Sequence, residues 1–206
     1  MNPFGPMDKI VPIIIFDIGG VLAYLDWDKV CTSFTAISDR SYDSIMKEVQ
    51  NGPIVEASMS GLLTPEGFHK ALCEEINVNI SFDEFIAIWN SLLSQNESIV
   101  PLVEDLASEH YLVIASNTDS IHFSYIMDNF SILRAFDEFF LSYEMDLLKP
   151  DPAYFHHVLN GLQTAASNCI FIDDRHDNIG SALDLGMRGL IFESVEKLQS
   201  NLSSIL

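Results

Sequence analysis

The stretch Ile13-Ile14-Ile15-Phe16-Asp17-Ile18-Gly19-Gly20 constrains the fold more than any other feature of the chain. An Ile-rich run without a polar break stops at one carboxylate, and glycines follow almost at once. A short continuous apolar run bounded by turn residues reads as a strand buried on both faces, here residues 11–16. Further strands of this kind are Tyr111-Leu112-Val113-Ile114-Ala115, Phe139-Phe140-Leu141-Ser142, Cys169-Ile170-Phe171-Ile172 and Gly189-Leu190-Ile191-Phe192. Helical patterns at 98–110, 121–129, 152–161 and 178–186 separate them. Alternation of this type predicts a Rossmann-like, doubly wound α/β sheet of parallel strands with helices on both faces.

The segment 27–95 differs. Phe68, Leu72 and Ile76, and then Phe85, Ile88, Trp89 and Leu92, recur at helical spacing. Turn signals at Asn51-Gly52-Pro53 and Ser60-Gly61 divide the segment, and it shows no clear strand. The expectation is an α/β core made of 1–26 and 96–206, with an inserted helical cap of about four helices at 27–95. Trp27 and Trp89 read as packing within the cap or between cap and core.

Composition narrows the partners. Thirty acidic against ten basic residues give a formal charge of −20, a field that repels nucleic acid and anionic membrane surfaces. A small anionic ligand therefore needs a cation at its own site. No apolar run approaches the roughly 20 residues of a membrane span, and residues 1–12 lack a basic signal-peptide region. The three cysteines, Cys31, Cys73 and Cys169, form no CxxC pair, which fits buried, reduced thiols in the cytoplasm. Nothing in the sequence assigns an oligomeric state.

In open parallel sheets ligands bind at the carboxyl ends of the strands. Sorted by that rule, Asp17 follows the first strand and Ser116-Asn117-Thr118 the second. Lys149 comes shortly after the third, and Asp173-Asp174 follow the fourth. Each alone has a structural explanation as a turn, helix-capping or surface loop residue. Together they make a coherent chemical set. A carboxylate nucleophile splits one hard displacement into two easier ones. Acids at 17, 173 and 174 repel one another unless a hard cation lies between them, and Mg2+ accepts oxygen ligands while binding phosphate. The Ser116 hydroxyl and backbone N–H groups opening the next helix suit phosphate oxygens. Lys149 supplies the positive charge for developing negative charge.

The four motifs FDIGGVL, ASNTD, LLKPDPAYF and FIDDRHDNIGSALDLGM closely resemble those of the haloacid dehalogenase-like (HAD) hydrolase superfamily. The resemblance runs over essentially the whole chain. Within the superfamily the chain resembles the bacterial subgroup that includes an alpha-D-glucose-1-phosphate phosphatase, in which a glycine similarly follows the nucleophile. The resemblance implies Asp17 as nucleophile, Ser116, Asn117 and Lys149 as phosphate ligands, and Lys149 as charge stabiliser. It implies Mg2+ held by Asp17, the Gly19 carbonyl and Asp174, with Asp173 as an inner or supporting acid. The activity implied is Mg2+-dependent hydrolysis of a small phosphorylated metabolite through an aspartyl-phosphate. A sugar phosphate, and in particular a sugar 1-phosphate, is the expected substrate.

Gly19 departs from the family pattern. Most phosphatases of the superfamily carry there an aspartate that protonates the leaving group and later activates water. Asp26, Asp28 and His176 are substitute candidates by nearness in sequence alone. The glycine keeps two alternatives open: a metal-free 2-haloacid dehalogenase-like hydrolase, whose halide leaves without a proton, and a non-catalytic protein that binds a phosphate ligand. Retention of both Asp173 and Asp174 favours the phosphatase.

Overall fold

A computed structural model describes residues 11–206, so the first ten residues of the expected core segment lie outside the description. The chain opens with β1 (Ile13–Phe16) and β2 (Ala23–Leu25), then five helices: α1 (Trp27–Thr35), α2 (Tyr42–Asn51), α3 (Pro53–Met59), α4 (Pro65–Glu75) and α5 (Phe82–Asn90). It continues through β3 (Leu93–Gln95), α6 (Val100–Ala107), β4 (Leu112–Ser116), α7 (Ser120–Asn129), β5 (Glu138–Leu141) and α8 (Ser142–Met145). The last elements are α9 (Pro152–Gly161), β6 (Cys169–Asp173), α10 (His176–Asp184), β7 (Arg188–Ile191) and α11 (Val195–Ile205).

Five parallel strands form one sheet in the order β5-β4-β1-β6-β7. The Ile-rich strand β1 sits at its centre, where both faces must be apolar. Its side chains alternate accordingly. Ile14 and Phe16 join one core with Leu112, Ile114, Ile170 and Ile172. Ile15 joins the other with Val113, Ala115, Cys169 and Phe171. Helices α9 and α10 cover the second face through Tyr154, Phe155, Val158, Ile179 and Ala182. Helices α6, α7 and α11 cover the first through Val103, Leu106, Ile121, Ile126, Leu198 and Leu202. That is the doubly wound α/β architecture predicted from the strand–helix alternation.

Beyond β1 the chain turns sharply. The Ile18 carbonyl accepts hydrogen bonds from the N–H groups of Val21, Leu22 and Ala23 at 3.3, 2.9 and 2.9 Å, and Gly20 takes φ +73°, a conformation open to glycine. The short antiparallel pair β2–β3 then carries the chain into α1–α5 and back, with Ala23 opposite Gln95 and Leu25 opposite Leu93. Asn96 fastens the return by donating from Nδ2 to the Val21 carbonyl at 2.9 Å.

Strand β3 is a departure from the sequence reading, which found no clear strand in 27–95, and its partner β2 lies just ahead of that segment. Three-residue strands carrying the exposed Tyr24 and Leu25 give no run for periodicity to detect. Five helices stand where about four were expected, because Gly52 is extended and Pro53 opens a new helix; proline lacks the N–H that would continue the old one. Polar caps fix the helix starts: Asp26 on α1, Ser41 on α2, Thr64 on α4, and Ser81 with Glu84 as a reciprocal capping box on α5. Cys31, Cys73 and Cys169 are free and buried. Among the described residues no helix is long and apolar enough to cross a membrane.

Candidate active site

Strands β4, β1 and β6 are adjacent and parallel, so their carboxyl ends open on one side. Asp17, Ser116, Asn117, Lys149 and Asp174 line a single cavity of about 380 Å3 there. Asp173 lies behind it with no exposed surface. The structure thus brings together the side chains nominated as nucleophile, phosphate ligands and metal ligands, and the Gly19 backbone with them.

Lys149 is the hub. Its side chain is only 1% exposed, and its Nζ lies 2.7 Å from Asp173 Oδ2 and 2.9 Å from Asp17 Oδ1. The ammonium also sits 5.2 Å from the centroid of the Phe171 ring, a face that attracts cations. Asn117 holds the lysine backbone from both ends of its amide, donating from Nδ2 to the Lys149 carbonyl at 2.8 Å and accepting from the Lys149 N–H at 2.9 Å. The Asn117 side chain is therefore engaged in fixing the lysine loop.

Asp173 is saturated. Oδ2 accepts from Lys149 Nζ at 2.7 Å and from Asn178 Nδ2 at 2.9 Å. Oδ1 accepts from the Arg175 N–H at 2.8 Å and from Asn178 Nδ2 at 3.0 Å. Asn178, buried on the first turn of α10, was not foreseen. Its one signal in the sequence is its place five residues after an acid at a strand end.

Asp17 stands in the opposite condition. Lys149 approaches its Oδ1 as a close ion pair, but that oxygen is buried without an aligned hydrogen-bond donor. Burial raises the Asp17 pKa from 3.8 to about 6; Lys149 pulls it down, Asp173 pushes it up, and a hydrogen bond from Ser116 lowers it. Asp174 is also raised, first by burial and then by Asp173. Fully ionised, the cluster sets three carboxylates against one buried ammonium.

That imbalance is what a hard divalent cation corrects. Asp17, Asp173 and Asp174 offer carboxylate oxygens within 4.8 Å of one another, a donor set of the kind Mg2+ prefers. A Cβ at Gly20 would stand 2.3 Å from Asp174 Oδ2, so only glycine lets this carboxylate seat against the loop. With Asp173 saturated, Asp17 and Asp174 are the acids left with oxygens to offer.

The substitute acids are not assembled here. Asp26 caps α1 by accepting from the Lys29 N–H, and Asp28 accepts from the Tyr42 hydroxyl. Neither they nor His176 lines the cavity. A Cβ at Gly19 would meet Leu25 Cδ1 at 3.3 Å, so an acid at this position would press on the tip of an aliphatic side chain that must give by a few tenths of an ångström. A second cluster on the cavity lining agrees with the reading of Trp89 as a contact between the helical segment and the sheet segment. Trp89 of α5 donates from Nε1 to Asp119 Oδ2 at 2.9 Å and stacks on His122 at 4.8 Å between centroids. His122 Nε2 in turn lies 3.0 Å from the Trp89 carbonyl.

Comparisons with known proteins agree with this geometry. The chain is 33% identical over 202 residues to drimenol cyclase drtB of Aspergillus calidoustus, covering 95% of this chain but only 37% of that protein's length. It is 23% identical over 200 residues to D-ribitol-5-phosphate phosphatase of Bacteroides thetaiotaomicron, covering 94% of this chain and 97% of that one. A HAD family enzyme from the same bacterium, solved in complex with magnesium and inorganic phosphate, superposes with a TM-score of 0.82 at 27% identity, over 91% of this chain and 98% of its own. Residues 11–186 match the family model of the haloacid dehalogenase-like hydrolases, and with the strand-end site in place the chain belongs to that family.

Proposed function

We propose that this chain is a Mg2+-dependent phosphatase acting on a small phosphate monoester through an aspartyl-phosphate on Asp17. The observation that carries the proposal is the Asp17 carboxylate at the end of β1: buried, with one oxygen lacking an aligned donor, and flanked by Lys149 and Ser116. In the first step an Asp17 oxygen attacks phosphorus and the ester oxygen leaves with its electron pair. In the second, water attacks the same phosphorus, releasing inorganic phosphate and regenerating the carboxylate. Lys149 offsets negative charge on the phosphoryl oxygens while Asp173, Asn178 and Asn117 keep its ammonium and backbone in place. Ser116 donates to a phosphoryl oxygen, and the Asn117 contribution comes from its backbone N–H. Asp17, Asp174 and the Gly19 carbonyl would hold Mg2+, which would supply charge neutralisation when bound. The helices α1–α5 form the cap over the cleft.

The magnesium and phosphate complex of the Bacteroides enzyme and the ribitol-5-phosphate phosphatase relative support this reading. Gly19 keeps a dehalogenase comparison in the test, since halide needs no acid. The experiment is phosphate release from para-nitrophenyl phosphate, and halide release from a 2-haloacid, each with Mg2+ and after chelation. Asp17→Asn is measured in parallel. Mg2+-dependent phosphate release, lowered by several orders of magnitude in Asp17→Asn, is expected. Halide release that survives chelation overturns the proposal.

A further inference from the structure

The cavity has two chemically distinct ends. Toward the sheet it presents Asp17, Ser116, Lys149 and Asp174; toward the helices it presents Leu25, Trp27, Val55, Met59, Leu92 and Ile126. A phosphoryl group seated on Asp17 directs the rest of its ester at this second wall. Leu25 begins the wall immediately beside the nucleophile, its Cδ1 standing 3.3 Å from where a Gly19 Cβ would be.

Polar groups near the wall are already committed. Asp119 Oδ1 accepts from the N–H groups of Ile121 and His122, and its Oδ2 accepts from Trp89 Nε1. His122 uses Nε2 against the Trp89 carbonyl and holds Nδ1 3.3 Å from Asp119 Oδ2. Gln50, Asn51 and Arg175 remain, and all three also line the adjoining second cavity. A sugar brings several hydroxyls that each need a partner on leaving water, and an unmet one is costly. The sugar phosphate expected from the sequence finds few such partners here, whereas a hydrocarbon loses nothing by entering.

We infer that the substrate is a monophosphate ester with an apolar body, an alkyl or alkenyl phosphate whose chain lies between Leu25 and the helical wall. The inference rests on the phosphate-binding end assigned above and deepens it. Each buried methylene adds about three- to fourfold in affinity, until the cavity of about 380 Å3 is filled.

The test is calorimetric binding with Mg2+ of an n-alkylphosphonate series, methyl to octyl and below micelle formation, with glucose 6-phosphate as the polar comparator. Phosphate release from the matching alkyl phosphates and glucose 6-phosphate is measured alongside. Affinity rising three- to fourfold per methylene before levelling, with the sugar phosphate bound no better than methylphosphonate, is expected. Met59→Gln and, at a partly exposed position, Leu25→Asn should each flatten the series. A series that is flat in the wild type, or a sugar phosphate that binds better than octylphosphonate, overturns the inference. A rising series without phosphate release from any ester supports the ligand class and overturns the phosphatase reading instead.

Discussion

Lys149→Met isolates the electrostatics of the site, because it removes the ammonium and keeps most of the stem volume. Asn117 grips the Lys149 backbone and not the side chain, so the loop keeps its anchor. What is lost is the cation 2.7 Å from Asp173 and 2.9 Å from Asp17. Removing one partner of a buried ion pair typically costs about 3–5 kcal/mol, since the remaining charge stays buried and uncompensated. Asp17 offers a partial escape by taking up a proton. Its pKa is already raised to about 6 with Lys149 pulling it down, and without Lys149 it goes higher still. An acid whose native pKa exceeds its unfolded value binds more protons when folded, so its contribution is greatest at low pH and falls as pH rises through the native pKa. The deficit of the variant should therefore be smaller near pH 5, where only the loss at Asp173 remains, and grow toward about 3 kcal/mol or more near pH 8. Urea unfolding in the presence of chelator, with the slopes compared to confirm that the same surface unfolds, measures it. Added Mg2+ should recover part of the loss by supplying another cation. Equal stabilities near pH 8, or a deficit that shrinks as pH rises, would refute the account of Lys149 as the hub.

Three further outcomes follow from the same geometry. Mg2+ binds the carboxylate form of Asp17, so its affinity by calorimetry should fall as pH drops below about 6, where that acid gains its proton; affinity constant from pH 5 to 7.5 would separate Asp17 from the metal. Trp89→Phe keeps the ring but deprives Asp119 Oδ2 of its indole donor, which should cost about 1–3 kcal/mol in urea unfolding; a change within error means the contact holds nothing. With no acid at Gly19, a plot of kcat/KM against leaving-group pKa for aryl phosphates should be steep, general acid catalysis being worth about 10²–10⁴-fold. Gly19→Asp should flatten it, and more fully when Leu25→Ala adds room; a wild-type slope already flat would show that another group delivers the proton.

The sheet was legible because each central strand is a short, purely apolar run, and burial on both faces permits little else. Asp17, Ser116, Lys149 and Asp174 were legible through one geometric rule, that polar residues at the carboxyl ends of parallel strands line the cleft there. Where that rule stops, the sequence stops too. An Asn after a strand is equally suited to a phosphate or to a neighbouring backbone, and only the approach of the lysine loop decides that the Asn117 side chain takes the latter. Asn178 sits inside a helical pattern, and its contact with Asp173 depends on how α10 enters against β6.

Leu25 is the most instructive omission. As a residue it is an ordinary exposed-edge leucine, and the strand carrying it is too short to read. Only the pairing of β2 with β3 brings it over Gly19. Position 19 then has a different meaning from the one the motif suggests. The sequence shows an acid missing, whereas the structure shows a leucine side chain packed close against that position. A glycine there removes the proton donor and simultaneously lets an aliphatic side chain close on the nucleophile. On the reading proposed above, leaving-group chemistry and the polarity of the substrate body would both depend on this one contact. A change that restores the acid also presses on Leu25, so the two properties should vary together when positions 19 and 25 are exchanged as a pair.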